Sequence, residues 1–141
     1  MTAPAVPPFA PTVLGRLFAL RSVQPFDRLH ASELVLLAEV TDPRSYAPGE
    51  NIHPGHDPMS YLLVVVGGRA LTADGTEAGP ILGVSSLLNN LPPPHLVADP
   101  ATGVQALAIA KGHFFTMSHE CPRFILGLLE LGEHGVRVTA P

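Results

Sequence analysis

With 141 residues and one cysteine, Cys121, the chain is long enough for a single hydrophobic core and can form no intrachain disulfide. Its formal net charge of -4, from eight Lys plus Arg against twelve Asp plus Glu, leaves no basic stripe for a phosphate backbone, which excludes nucleic acid as a partner. The longest apolar run, Tyr61 to Val66, is too short for a bilayer, and Met1 to Pro11 lacks the charged start and apolar run of a secretory signal, so a soluble, cytoplasmic protein is expected.

Residues 1–11 contain Pro4, Pro7, Pro8 and Pro11 and read as a flexible lead, followed by one domain over 12–135 and a tail over 136–141. From Thr12 to Arg21 the apolar positions Val13, Leu14, Leu17, Phe18 and Leu20 fall near helical spacing, with Thr12 available as the N-cap. Pro25 and Phe26 interrupt the pattern. A second helix is expected over Ala31 to Val40, with Leu34, Val35, Leu37 and Ala38 as its apolar face and Glu33 suiting the dipole at its first turn.

Beyond Asp42 the character changes to short runs bounded by Pro and Gly: Arg44 to Ala47, Asn51 to His53, Ser60 to Val66, Arg69 to Ala73 and Pro80 to Leu82. Tyr61 to Val66 is β-rich and apolar on both faces, the pattern of a central strand, and Gly67-Gly68 predicts a tight reversal into Arg69 to Thr72. Gly83 then opens a short helix through Leu88. His95 to Ala98 and Val104 to Ala110 read as two strands of a hairpin joined through Asp99-Pro100-Ala101-Thr102-Gly103. A short turn around His113 to Ser118 precedes a last helix, with Pro122 at its first position and Ile125, Leu128 and Leu129 as a core or partner-facing stripe. Glu130, Glu133 and His134 read as its solvated face.

This order of elements resembles the cyclic nucleotide-binding domain family. The matching residues run in sequence from Pro25-Phe26 with Leu29, through Glu33-Leu34 and Leu37-Ala38, to Tyr46-Ala47-Pro48-Gly49-Glu50 with Ile52 and Gly55. Tyr61 to Val66 with Gly68, Gly83 with Leu87-Leu88, and Ala98 with Leu107, Ile109, Phe114 and Pro122 complete them. The resemblance implies a mainly β domain, an eight-stranded antiparallel β-roll of jelly-roll type flanked by helices, in the manner of the cAMP receptor proteins.

The family binds the cyclic phosphate in a cassette similar to Phe-Gly-Glu-Leu-Ala-Leu followed by Pro-Arg-Ala-Ala. Here Leu82, Gly83, Val84, Ser85, Ser86 and Leu87 occupy the first part, and Pro94-His95 the second. The resemblance implies a glutamate that accepts from the ribose 2′-hydroxyl and an arginine that clamps the phosphate; those positions hold Val84 and His95. Valine accepts nothing, and histidine is shorter than arginine and not a permanent cation. The altered pocket is therefore Gly83, Ser85, Ser86 and His95, in which backbone donors and two hydroxyls remain for a cyclic nucleotide or another small anion. As residue types, Ser85 and Ser86 also suit helix-start capping.

His53-Pro54-Gly55-His56-Asp57 invites comparison with the metal site of the cupins, another jelly-roll family, but Pro54-Gly55 separates the two histidines and no glutamate follows until Glu77. A solvated loop is expected there, with no metal. No Gly-x-Ser-x-Gly elbow occurs, and Cys121 before Pro122 reads as a spectator at a helix start. The expectation is a stand-alone cyclic nucleotide-binding-like module in signal transduction, regulatory or interacting, without catalysis and without normal affinity for cAMP or cGMP. The alternatives are a sensor of another small anion or nucleotide and a cupin-like metalloenzyme using His53 and His56. Pro141 follows soon after the last helix, without the dimerisation helix and DNA-binding domain that family regulators append, so output is expected through a separate effector protein or self-association.

Overall fold

The computed structural model describes residues 12–124 and 126–128. Helix α1 spans Val13–Arg21, and Thr12 caps it by accepting the Gly15 N–H at 3.0 Å. A single 3-10 turn, Phe26–Arg28, leads to α2, Ala31–Val40, whose Glu33 reaches back to accept the His30 N–H at 2.8 Å. Both helices fall where the apolar periodicity puts them.

Seven strands follow among the described residues, one fewer than the resemblance implies: β1 Asp42–Tyr46, β2 Asn51–His53, β3 Tyr61–Gly68, β4 Ala70–Thr72, β5 Ile81–Leu82, β6 Leu96–Ala98 and β7 Val104–Ala110. Helix α3, Val84–Asn89, lies between β5 and β6, and α4, Lys111–Glu120, follows β7. The expected short turn around His113 to Ser118 is thus a ten-residue helix. Residues 122–124 and 126–128 are helical, with Pro122 at the start. The expected lead over 1–11, and the stretch holding Leu129, Glu130, Glu133 and His134, lie outside the described residues.

The strands form two antiparallel sheets, a four-stranded one ordered β1-β7-β3-β5 and a three-stranded one ordered β2-β6-β4. Two sequence expectations are corrected here. β6 and β7 are not a hairpin: β6 pairs with β2 and β4, β7 with β1 and β3, so the Asp99 to Gly103 turn carries the chain from one sheet to the other. Gly67-Gly68 likewise ends β3 in one sheet before β4 begins in the other, rather than reversing the chain onto itself. Turn chemistry records a change of direction, not the partner of the strand that follows.

The result is a jelly-roll β-roll with helices on its outer side. Strand β3 shows why its sequence is apolar on both faces. Leu62 and Val64 enter the core shared with the helices, where Phe26, Phe114 and Phe124 pack with ring centroids 5.1 and 6.3 Å apart. Leu63 enters the second core, inside the roll, with Met59, Leu82, Leu96 and the small residues Ala70, Ala98, Ala106 and Ala108. β7 divides in the same way, Leu107 and Ile109 outward and Val104, Ala106 and Ala108 inward.

Candidate functional site

The cassette is built where the chain leaves β5 for α3. Gly83 is the helix N-cap, with φ 98° and ψ 2°, a left-handed conformation that favours glycine. A Cβ there would stand 2.8 Å from the Tyr61 carbonyl oxygen and 3.2 Å from the Met59 sulfur. The glycine therefore meets two local demands of the fold, a positive φ and the close approach of β3 and Met59.

Around this turn the chain passes between the two cores. Leu82 is buried inside the roll, whereas Val84 and Leu87 pack in the helix-side core. Val84, which the resemblance sets at the family's glutamate, is thus an apolar packing residue. Ser85 is exposed. Ser86 is buried, and its hydroxyl donates to the Leu91 carbonyl at 2.6 Å, closing the loop after α3 rather than capping the helix start. The N-cap position of α3 is held by Gly83, which has no side chain, so neither serine is the N-cap residue that the capping expectation had in view.

His95 lies just before β6, in the other sheet, and is exposed. Its Nε2 lies 2.6 Å from Asn51 Oδ1 on β2. Gly55 covers the backbone beside it: a Cβ at that glycine would meet the His95 nitrogen at 2.9 Å. Asn51 and Met59 are the participants that the family pattern does not reveal, because their roles arise from pairing and packing across the roll. Met59 and Leu96, both buried, line the interior at Gly83 and below β6.

The histidines of the β2 loop do not converge. His53 Nδ1 accepts the Gly55 N–H at 2.9 Å, and His56 is exposed. Among the described residues no three His, Cys, Asp or Glu side chains are grouped as a metal site would require.

Two clefts lie away from the cassette. One, of about 420 Å3, is lined by Ser22, Val23, Gln24, Val65, Val66 and Pro80. The other, of about 240 Å3, runs between α2 and α4. Cys121 at its edge, at the start of the last helix, donates its thiol to Glu33 Oε2 at 3.0 Å, a tertiary contact that the sequence reading did not include. Burial, and then the Glu33 carboxylate, push the thiol up to about 11, while the same bond holds Glu33 below its ordinary range. This pairing spans most of the chain and has no local sequence signal.

The turn between β6 and β7 carries an ion pair. Asp99 is buried, accepts the Ala101 N–H at 2.7 Å and pairs with Arg69 Nη2 at 2.7 Å. The Ala101 bond first, and then the guanidinium, hold its carboxyl below the ordinary carboxylate range against the opposing effect of burial. Among the described residues no helix is long and apolar enough to cross a membrane.

Solved structures share this architecture. The regulatory domain of Toxoplasma gondii PKA, solved with cAMP, aligns at a TM-score of 0.63 and 16% identity over 74% of this chain and 44% of its own. The sensor domain of the transcriptional regulator DNR from Pseudomonas aeruginosa aligns at 0.64 and 14% identity over 91% of this chain and 93% of its own. The regulatory subunit of a cAMP-independent protein kinase A from Trypanosoma cruzi, bound to guanosine, aligns at 0.64 and 19% identity over 90% of this chain and 48% of its own. This chain therefore spans less than half the length of either kinase regulatory protein. No protein-family model and no curated protein matches the sequence. The fold is that of the cyclic nucleotide-binding regulatory domains.

Proposed function

We propose that this chain is a cyclic nucleotide-binding-like regulatory or interaction module that acts without catalysis and without ordinary affinity for cAMP or cGMP. The observation that carries it is the chemistry at the two positions the family uses for charge: Val84 packs in the helix-side core, and His95 is engaged by Asn51. A hydrogen bond to a charged group contributes about 1.5–3 kcal/mol, so losing two removes several kcal/mol. Each 1.4 kcal/mol is about tenfold in affinity, and a micromolar site becomes roughly millimolar or weaker.

Signal output on this reading passes through a separate effector or a second copy, and the fold serves as a surface rather than a receptor. Calorimetric titration with cAMP and cGMP is the test. Micromolar binding of either nucleotide refutes the proposal.

A second reading, a sensor for another nucleotide or small anion, has two observations in its favour. Ser85 stays exposed beside Gly83, and a protein of the same fold is described with guanosine bound. A thermal-shift panel of nucleosides, nucleotides and small anions separates the two, because a ligand at about 100 times its Kd stabilises by about 2.7 kcal/mol. A flat panel removes this second reading.

A further inference from the structure

Helix α2 has more apolar surface than its packing uses. Leu34, Leu37 and Ala38 are buried and dock the helix on the core, yet Leu36 remains 63% exposed. One turn away on the same side of the helix as Leu36 lie Glu33, Glu39 and Val40. Helix α4 contributes His113, Thr116, Met117 and Glu120 to a cleft it shares with α2.

The apolar lining of this cleft comprises the buried Leu37 and Met117, the half-buried Val40 and the exposed Leu36, and its volume is about 240 Å3. Small-molecule sites are generally larger, about 300–1,000 Å3, so this one suits one or two side chains of a macromolecular partner. The rim is acidic. Glu33 is committed to the His30 N–H and the Cys121 thiol, with Arg123 close to it and bonded to His30 at 3.0 Å. Glu39 and Glu120 are exposed, and His113 is the one lining residue able to carry positive charge.

We propose that the α2–α4 groove is a docking site for a basic amphipathic helix of a separate partner protein. One or two aliphatic side chains of that helix enter over Leu37 and Met117 beside Leu36, and its lysines or arginines meet Glu39 and Glu120. The net charge of -4 on the chain favours the same partner at longer range. Two copies joined symmetrically through this groove would instead set Glu39 and Glu120 against like charges. The inference rests on the interaction-module reading for its need of a partner, but its test involves no nucleotide. Micromolar cAMP binding would refute that reading and leave the groove experiment fully interpretable.

The test is an NMR titration of the isotope-labelled full chain with a synthetic amphipathic peptide of leucine and lysine, beside a leucine–glutamate counterpart. The expected result is saturable shift changes confined to α2 and α4 with the lysine peptide alone. Leu36→Ser, and separately the pair Glu39→Lys and Glu120→Lys, should each weaken binding by roughly fivefold or more, and added salt should weaken it further. These positions are exposed, and a thermal melt checks that each variant folds; if Leu36→Ser does not, the charge-reversal pair carries the comparison. The proposal is overturned by absent or non-saturable shifts, by shifts centred elsewhere, or by equal binding of the glutamate peptide. Shifts of the same residues on raising the concentration of the protein alone identify a second copy as the occupant and overturn it equally.

Discussion

Replacing Gly83 by alanine asks whether the glycine of the cassette serves the fold or only a ligand. Its φ of 98° costs a residue with a side chain roughly 1–2 kcal/mol. The new Cβ would also stand 2.8 Å from the Tyr61 carbonyl oxygen, a backbone atom fixed in the central strand, and 3.2 Å from the Met59 sulfur, which can move. Overpacking of this kind costs about 1–3 kcal/mol, and because Met59 can yield, the backbone contact sets most of that. Together the two effects predict a loss of about 2–5 kcal/mol. For a chain of this size that lowers Tm by roughly 6–25 °C. Urea and thermal unfolding followed by circular dichroism, without any added nucleotide, measure it, with Ser85→Ala as a control expected within about 0.5 kcal/mol because Ser85 is exposed. An alanine variant as stable as the parent would refute the claim that local geometry, independent of a ligand, demands glycine here.

Three further outcomes follow from the side-chain bonds. Ser86→Ala should cost about 1 kcal/mol in urea unfolding, because the Leu91 carbonyl loses its donor; no change would mean that the hydroxyl is not structural. With its thiol raised from an ordinary 9.0 to about 11, Cys121 should be roughly a hundredfold poorer in thiolate at neutral pH. Labelling by iodoacetamide should then be at least about tenfold slower than in the unfolded chain and faster in Glu33→Gln, whereas equal native and unfolded rates would contradict the Glu33 contact. Asp99 has a lowered folded-state pKa, so its contribution is fully present above the unfolded value of about 3.9 and is lost as pH falls through the folded one. Unfolding midpoints measured on acidification should fall less steeply for Asp99→Asn than for the parent, and identical acid limbs would contradict the assignment.

How much of this was legible in the sequence depended on how local the cause was. Thr12 before an apolar periodicity, Glu33 in a first turn and Pro122 at a helix start are local signals, and each element stands where they indicate. The double-sided apolarity of β3 likewise follows from its place between two cores. The sheet partners of β6 and β7 were not legible, because Asp99 and Gly103 specify a turn whatever lies on either side. That Val84 and His95 stand where the resemblance implies a glutamate and an arginine is a reading of the sequence itself. The bond from His95 to Asn51, the packing of Met59 at Gly83 and the Glu33–Cys121 contact could not be read there, since each joins segments far apart in the chain. The groove between α2 and α4 belongs with these: Leu36 stands outside the apolar face read from the periodicity, and only the structure shows that it lines a cleft with α4.

The central claim is that the roll keeps its architecture while the cyclic-phosphate contacts are gone. Isothermal titration of the purified chain with cAMP and cGMP measures this most directly. The account predicts no binding tighter than roughly millimolar, as the loss of two charge-assisted bonds requires. A micromolar Kd for either nucleotide would contradict it.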